Sequence, residues 1–229
     1  MADDSLAGLD AHHQLLLQAL RHPASLQDIS NQDWELLLRL ARRARLLGFL
    51  AVQLGHAALL DKIPQRVANH LRSGLIQAQK FQQLARWELD RLLWALGKNR
   101  PPVIVLKGMA YLLAGLPNSA GRVFADLDLL VSAENLQAIE STLLAKGWQH
   151  HALSAYDEHY YRAWTHEIPA LIHHERETEV DIHHTLTSPI GKLKLDAAPF
   201  WANAIKLPDA DVWVLNSPDM VLHAAVNLF

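Results

Sequence analysis

The chain has 229 residues, 50% of them apolar, and a net charge of −3, so it can fill the core of one large domain or two small ones but carries no basic field to draw in a polynucleotide. A small-molecule or protein partner is favoured over long nucleic acid, although Arg39, Arg42, Arg43 and Arg45 cluster locally. The absence of cysteine removes disulfides, thiol catalysis and thiolate metal sites. An acidic start (Asp3, Asp4, Asp10) and no apolar run near the roughly 20 residues of a membrane span predict a soluble, cytoplasmic protein with no membrane partner.

Leu15, Leu16, Ala19 and Leu20 predict a first short amphipathic helix. Ser30, with Asp33 three residues on, caps a second, whose stripe Trp34, Leu37, Leu38, Ala41 and Ala44 continues to Gly48, with Gly55 as its stop. Pro64 suits the first turn of a third, which runs through Val67, Leu71, Leu75, Ala78, Leu84, Leu92 and Leu96 to Gly97, with Gly74 as a point of interruption. A polar, proline-containing break at 99–102 then leads into a short buried strand at 103–106. The boundary between a helical N-terminal region, 1–98, and a core, 99–215, falls at this break.

Lys107 and Gly108 are followed by a short apolar helix from Met109 and a loop holding Pro117, Asn118 and Ser119. Residues 123–131 read as a second strand. Ser132 caps a helix through Leu136, Ile139, Leu143 and Leu144 that Gly147 ends, and 148–153 form another strand. A short aromatic-rich helix is expected between Ser154 and Trp164. Residues 167–174 and 178–185 read as a hairpin, with Pro169 consigning the first arm to a sheet edge. Ser217 caps a last helix through Val221, Leu222, Ala225 and Leu228. It stops in mid-pattern, so 216–229 reads as the start of a C-terminal helical region that continues further or is covered by a partner.

Within 124–130 strand alternation puts Asp126 and Asp128 on one face and Leu127 and Leu129 on the other. Two like charges side by side are compensated most simply by a hard cation such as Mg²⁺, unless both merely mark a solvated face. In the later strand Asp181 shares its face with Glu179 and His183. If the two strands pair, three carboxylates converge as a two-metal site requires, and Asp181 is the natural proton acceptor; the plain alternative is the charged face of an edge hairpin. Lys107 and Gly108 stand at a strand-to-helix junction, where backbone N–H groups receive anions, or where the chain simply turns. Arg122 either reaches a phosphate or fixes its loop by pairing with an acid.

Val105-Leu106-Lys107-Gly108, then Arg122, then Asp126-Leu127-Asp128-Leu129-Leu130-Val131, then Val180-Asp181-Ile182-His183 resembles, in order and spacing, the uncharacterised nucleotidyltransferase family of bacteria. The resemblance extends to the Asp33-Trp34 helix start and to Ser217-Pro218-Asp219 with Leu222-His223, so it covers most of the chain. It implies an α+β fold with a small mixed sheet flanked by helices, as in the DNA polymerase β-type nucleotidyltransferase superfamily. It also implies Mg²⁺ or Mn²⁺ held by Asp126, Asp128 and Asp181, and transfer of a nucleoside monophosphate from a nucleoside triphosphate to a hydroxyl of a small molecule or protein. One departure stands out: the superfamily's first motif has Gly followed by Ser or Gly, whereas Met109 follows Gly108.

Three other readings compete. Sugar-nucleotide glycosyltransferases also carry Asp-x-Asp, but after several strand-helix units, and only one strand precedes it here. Zinc chemistry is suggested by 14 histidines, yet the neighbours in His150-His151, His173-His174 and His183-His184 point to opposite faces of a strand. His183 alone keeps a role, as partner to a metal ligand or as a substrate contact. From another class comes an inactive nucleotidyltransferase-fold module that binds a nucleotide or protein partner, with Trp34, Trp87 and Trp94 as a docking surface, a lid, or simply core.

Overall fold

The computed structural model describes residues 11–124, 126–150, 164–176 and 178–226. The chain divides into two units, Met1–Gln83 with Asn118–Val123, and Leu84–Pro117 with Phe124–Phe229.

In the first unit α1 (Ala11–Arg21), α2 (Asn31–Arg43), α3 (Leu47–His56) and the first half of α4 (Gln65–Leu96) bury Trp34, Leu37, Ala41, Leu50, Leu54 and Leu71. Ser30 caps α2 as its sequence predicts: its hydroxyl accepts from the Asp33 backbone N–H at 3.1 Å and donates to the Asp33 carboxylate at 2.7 Å. The predicted second helix is in fact two. It ends at Arg43, Arg45 takes a left-handed φ of 58°, and α3 starts afresh at Leu47. No glycine announces this break, and Gly55 lies inside α3. Gly48 serves a close approach instead, since a Cβ there would meet the carbonyl oxygen of Gly121 at 2.5 Å. α4 runs unbroken through Gly74, where a Cβ would meet that of Leu47 at 2.6 Å, and ends at Gly97 with φ 81°.

The second unit is built on a mixed sheet of seven strands among the described residues, in the order β3-β4-β5-β2-β1-β7-β6. The strands are β1 (Ile104–Val105), β2 (Asp126–Leu130), β3 (Trp148–His150), β4 (Leu171–His173), β5 (Glu179–His183), β6 (Ile205–Leu207) and β7 (Val212–Val214). β2 runs parallel to β5 and β1 parallel to β7, while the other neighbours are antiparallel. The remainder of α4, with α5 (Lys107–Leu113), α6 (Leu136–Leu144), α7 (Ala198–Asn203) and α8 (Ser217–Val226), flanks this sheet. Its core gathers Ile104 and Val105 of β1 with Leu127, Leu129, Val180 and Ile182, the apolar alternates of β2 and β5.

Three local expectations change, and three elements arise where none was expected. β4 lies between β3 and β5, not at an edge, because Pro169 precedes it and removes no ladder hydrogen bond. β6, β7 and α7 had no signal: three-residue strands are too short for alternation to show. Asn216, not Ser217, caps α8, its side-chain oxygen accepting from the Asp219 N–H at 2.9 Å. Met220 and His223 turn inward from α8 while Val221 and Leu222 are exposed. The helix expected at 154–163 lies outside the described residues. Trp34 is core; Trp87 and Trp94 are exposed, each with an arginine near its ring, Arg176 at 5.8 Å and Arg91 at 5.9 Å.

Candidate active site

Apolar alternation drives Leu127, Leu129, Val180 and Ile182 into the core, so the acids between them take the other face of β2 and β5. The parallel register pairs Asp126 with Glu179, Asp128 with Asp181, and Leu130 with His183. Carboxylate oxygens of Asp126, Asp128 and Asp181 lie within 4.8 Å of one another. Asp126 is exposed, Asp181 half-buried and Asp128 buried, so the group runs from solvent into the sheet.

Asp128 takes two side-chain donors on one oxygen. Nζ of Lys107 is 2.5 Å and Nε2 of His183 3.0 Å from the same oxygen, Oδ1. Burial raises the Asp128 pKa, but these two donors outweigh it and hold the carboxyl below its ordinary value. The Lys107 ammonium is penalised by burial too, yet Asp128, with Asp181 and Glu167 further off, holds its pKa above the usual lysine value. Lys107 takes a left-handed φ of 48° at the start of α5, a conformation a lysine adopts at a cost and one that carries its side chain to Asp128.

Asp181 goes the other way. Burial first, then the charges of Asp128, Glu167 and Asp126, push its pKa up to about 7. Burial and mutual repulsion thus oppose full ionisation of the three acids, and a hard divalent cation offsets both through oxygen ligands. The donor set therefore fits Mg²⁺ or Mn²⁺.

The other residues singled out in the sequence are placed as follows. Lys107 contacts an aspartate. Gly108 packs against the ring of Phe124, which an added Cβ would meet at 2.5 Å. Arg122 belongs to the first unit, where its carbonyl accepts from Gln82 Nε2 at 2.9 Å. Met109, the departure noted after Gly108, is 1% exposed and fills core. His183 bonds Asp128 rather than Asp181.

Three neighbours were not anticipated. Glu167 bridges to His183 in antiparallel pairing, with Oε2 3.5 Å from His183 Nδ1. The ring of His166 stacks on that of His183 with centroids 5.1 Å apart. Burial, then the charges of His183 and Lys107, lowers the pKa of His223 to about 4. Only His223 had a sequence signal, through the terminal Leu222-His223 part of the resemblance.

A mixed sheet flanked by helices, with an Asp-x-Asp strand laid parallel to a strand bearing a third aspartate, defines a nucleotidyltransferase-like α+β protein. The model of the uncharacterised nucleotidyltransferase family matches residues 30–229, and the chain belongs to that family. No curated protein and no solved structure matches it.

Proposed function

We propose that this protein is a divalent-metal-dependent nucleotidyltransferase, moving a nucleoside monophosphate from a nucleoside triphosphate to a hydroxyl of a small molecule or protein. The observation that carries the reading is the gathering of Asp126, Asp128 and Asp181 within 4.8 Å on adjacent parallel strands, in a chain of this family. Asp126, Asp128 and Asp181 would hold Mg²⁺ or Mn²⁺, which when bound would offset the charge of the triphosphate and acidify the acceptor hydroxyl. Asp181 is assigned to take the hydroxyl proton. The acceptor oxygen forms the new bond to the α-phosphorus, the α–β bridging P–O bond breaks, and pyrophosphate leaves with its electron pair. Lys107, Gly108 and Arg122 are assigned to the phosphates, with Lys107 exchanging its Asp128 contact for them. His183 orients Asp128 by donating from Nε2. Among the described residues no helix is long and apolar enough to cross a membrane.

A specific observation favours a second reading, a catalytically inactive module that binds a nucleotide or protein partner. Lys107 already pairs with Asp128, and Met109, which departs from the Ser or Gly of the motif, is buried. Calorimetric titration of ATP, CTP, GTP and UTP with and without Mg²⁺, repeated on Asp126→Asn/Asp128→Asn, tests the site. Metal-dependent binding lost in the double variant supports it, and metal-dependent pyrophosphate release in an acceptor screen excludes the module. Binding without turnover across that screen favours the module. Failure of all four nucleotides to bind overturns the nucleotidyltransferase reading.

A further inference from the structure

We propose that His166, Glu167 and His183 form a second cation site, for a transition-metal dication of the zinc class, beside the aspartates and chemically distinct from them. The inference does not depend on nucleotidyl transfer.

The three residues come from two neighbouring segments locked by backbone hydrogen bonds. Ile168 N–H donates to Ile182 at 3.0 Å and His184 N–H to His166 at 2.9 Å, on either side of the Glu167–His183 bridge. Neighbours on a regular strand point to opposite faces. Here the chain bends at Thr165 and His166, and the Thr165 hydroxyl holds the bend by donating to the Glu167 carbonyl at 2.6 Å. His166 and Glu167 thereby reach the same place. Oε2 of Glu167 is 3.7 Å from Nε2 of His166 and 3.5 Å from Nδ1 of His183, and one ligand atom from each residue lies within 4.8 Å of the others. Tetrahedral zinc with nitrogen ligands at about 2.0–2.1 Å separates its ligand atoms by roughly 3.3 Å, so small side-chain rotations close the set.

An independent feature points to a ligand. His183 is 1% exposed, and its Nδ1 makes no hydrogen bond among the described residues. A buried ring nitrogen left in that state is costly unless something binds it. Its other nitrogen, Nε2, sits on Asp128. A histidine with one nitrogen on a carboxylate and the other facing a second histidine and a glutamate has the arrangement of a metal ligand with its outer partner. Two imidazoles and one carboxylate also select a softer ion than three carboxylates do. Cation bound at Nδ1 fixes the proton on Nε2, making His183 an obligate donor to Asp128, so occupancy of this site tunes the aspartate beside it.

The test is titration of the purified, chelator-treated full chain with Zn²⁺ and with Co²⁺, whose visible ligand-field absorption reports a four-coordinate nitrogen-oxygen site. The variants are His166→Ala, Glu167→Gln and Asp126→Asn/Asp181→Asn, with folding checked by circular dichroism. His166 and Glu167 are only half-buried, which makes them tolerant positions. The expected result is one tight equivalent bound by wild type, weakened by more than about tenfold in His166→Ala and in Glu167→Gln and retained in the aspartate variant, with any weaker equivalent at the aspartates lost there. X-ray absorption of the Zn²⁺-loaded wild type should count two imidazoles. Equal affinity in His166→Ala, loss only in the aspartate variant, or a zinc shell without imidazole would overturn the proposal; the first two outcomes leave the nucleotide titration unaffected.

Discussion

Nε2 of His183 lies 3.0 Å from Oδ1 of Asp128, and the two side chains are 1% and 3% exposed. The histidine joins the acidic face through this bond, reaching Asp128 across the β2–β5 pair rather than Asp181 two residues before it. Lys107 meets the same oxygen, so two donors from different elements fix Asp128 in place.

Asp128→Asn should abolish turnover while leaving the fold intact. Asparagine keeps an oxygen for His183 but loses the charge that Lys107 and a cation need, and pyrophosphate release should fall on the order of 10³-fold, the scale of losing one buried electrostatic contact at a reacting centre. Retention of full activity with an unchanged melting curve would remove Asp128 from the site.

Cation binding should weaken with acidity below about pH 7, where Asp181 takes up a proton. Each pH unit lower should cost about tenfold in Mn²⁺ affinity, since one proton competes. The same shift has a stability sign. A carboxyl whose pKa rises from 3.8 to about 7 on folding contributes stability that is full below 3.8 and lost as pH rises through 7. Metal-free Asp181→Asn should therefore melt above wild type at pH 8, and thermal scans at pH 5 and 8 would show whether that gap opens.

His223 acts in the opposite sense. Burial lowers its pKa from 6.5 to about 4, so its contribution is present above 6.5 and lost as pH falls through 4. His223→Gln should flatten the fall in melting temperature across that window. If the acid branch is unchanged, other groups govern it, with His166 and His184, also lowered chiefly by burial, first in line.

Gly108→Ala should destabilise the fold by about 1–3 kcal/mol, because its Cβ would overlap the buried ring of Phe124. The cost should shrink in a Phe124→Leu background, which a denaturation double-mutant cycle measures. An additive cycle would mean that the glycine does not answer to the ring.

Which side chains share a face was legible from the chain alone. The alternation of Asp126, Leu127, Asp128 and Leu129, and of Val180, Asp181 and Ile182, is a local property that burial of the apolar set enforces. The Ser30 cap was legible for the same reason, since its partner Asp33 is three residues away. The break at Arg45 was not, because a left-handed residue without glycine leaves no mark in composition. The parallel register that sets Asp128 opposite Asp181 was not written there either, nor the edge-to-interior move of β4, nor the bend that brings His166 and Glu167 to His183. Periodicity decides which way a residue faces within its own element. Which elements become neighbours depends on long-range strand pairing and on the core that rewards it, and the depth of Asp128, the raised pKa of Asp181 and the company of His183 all follow from that choice.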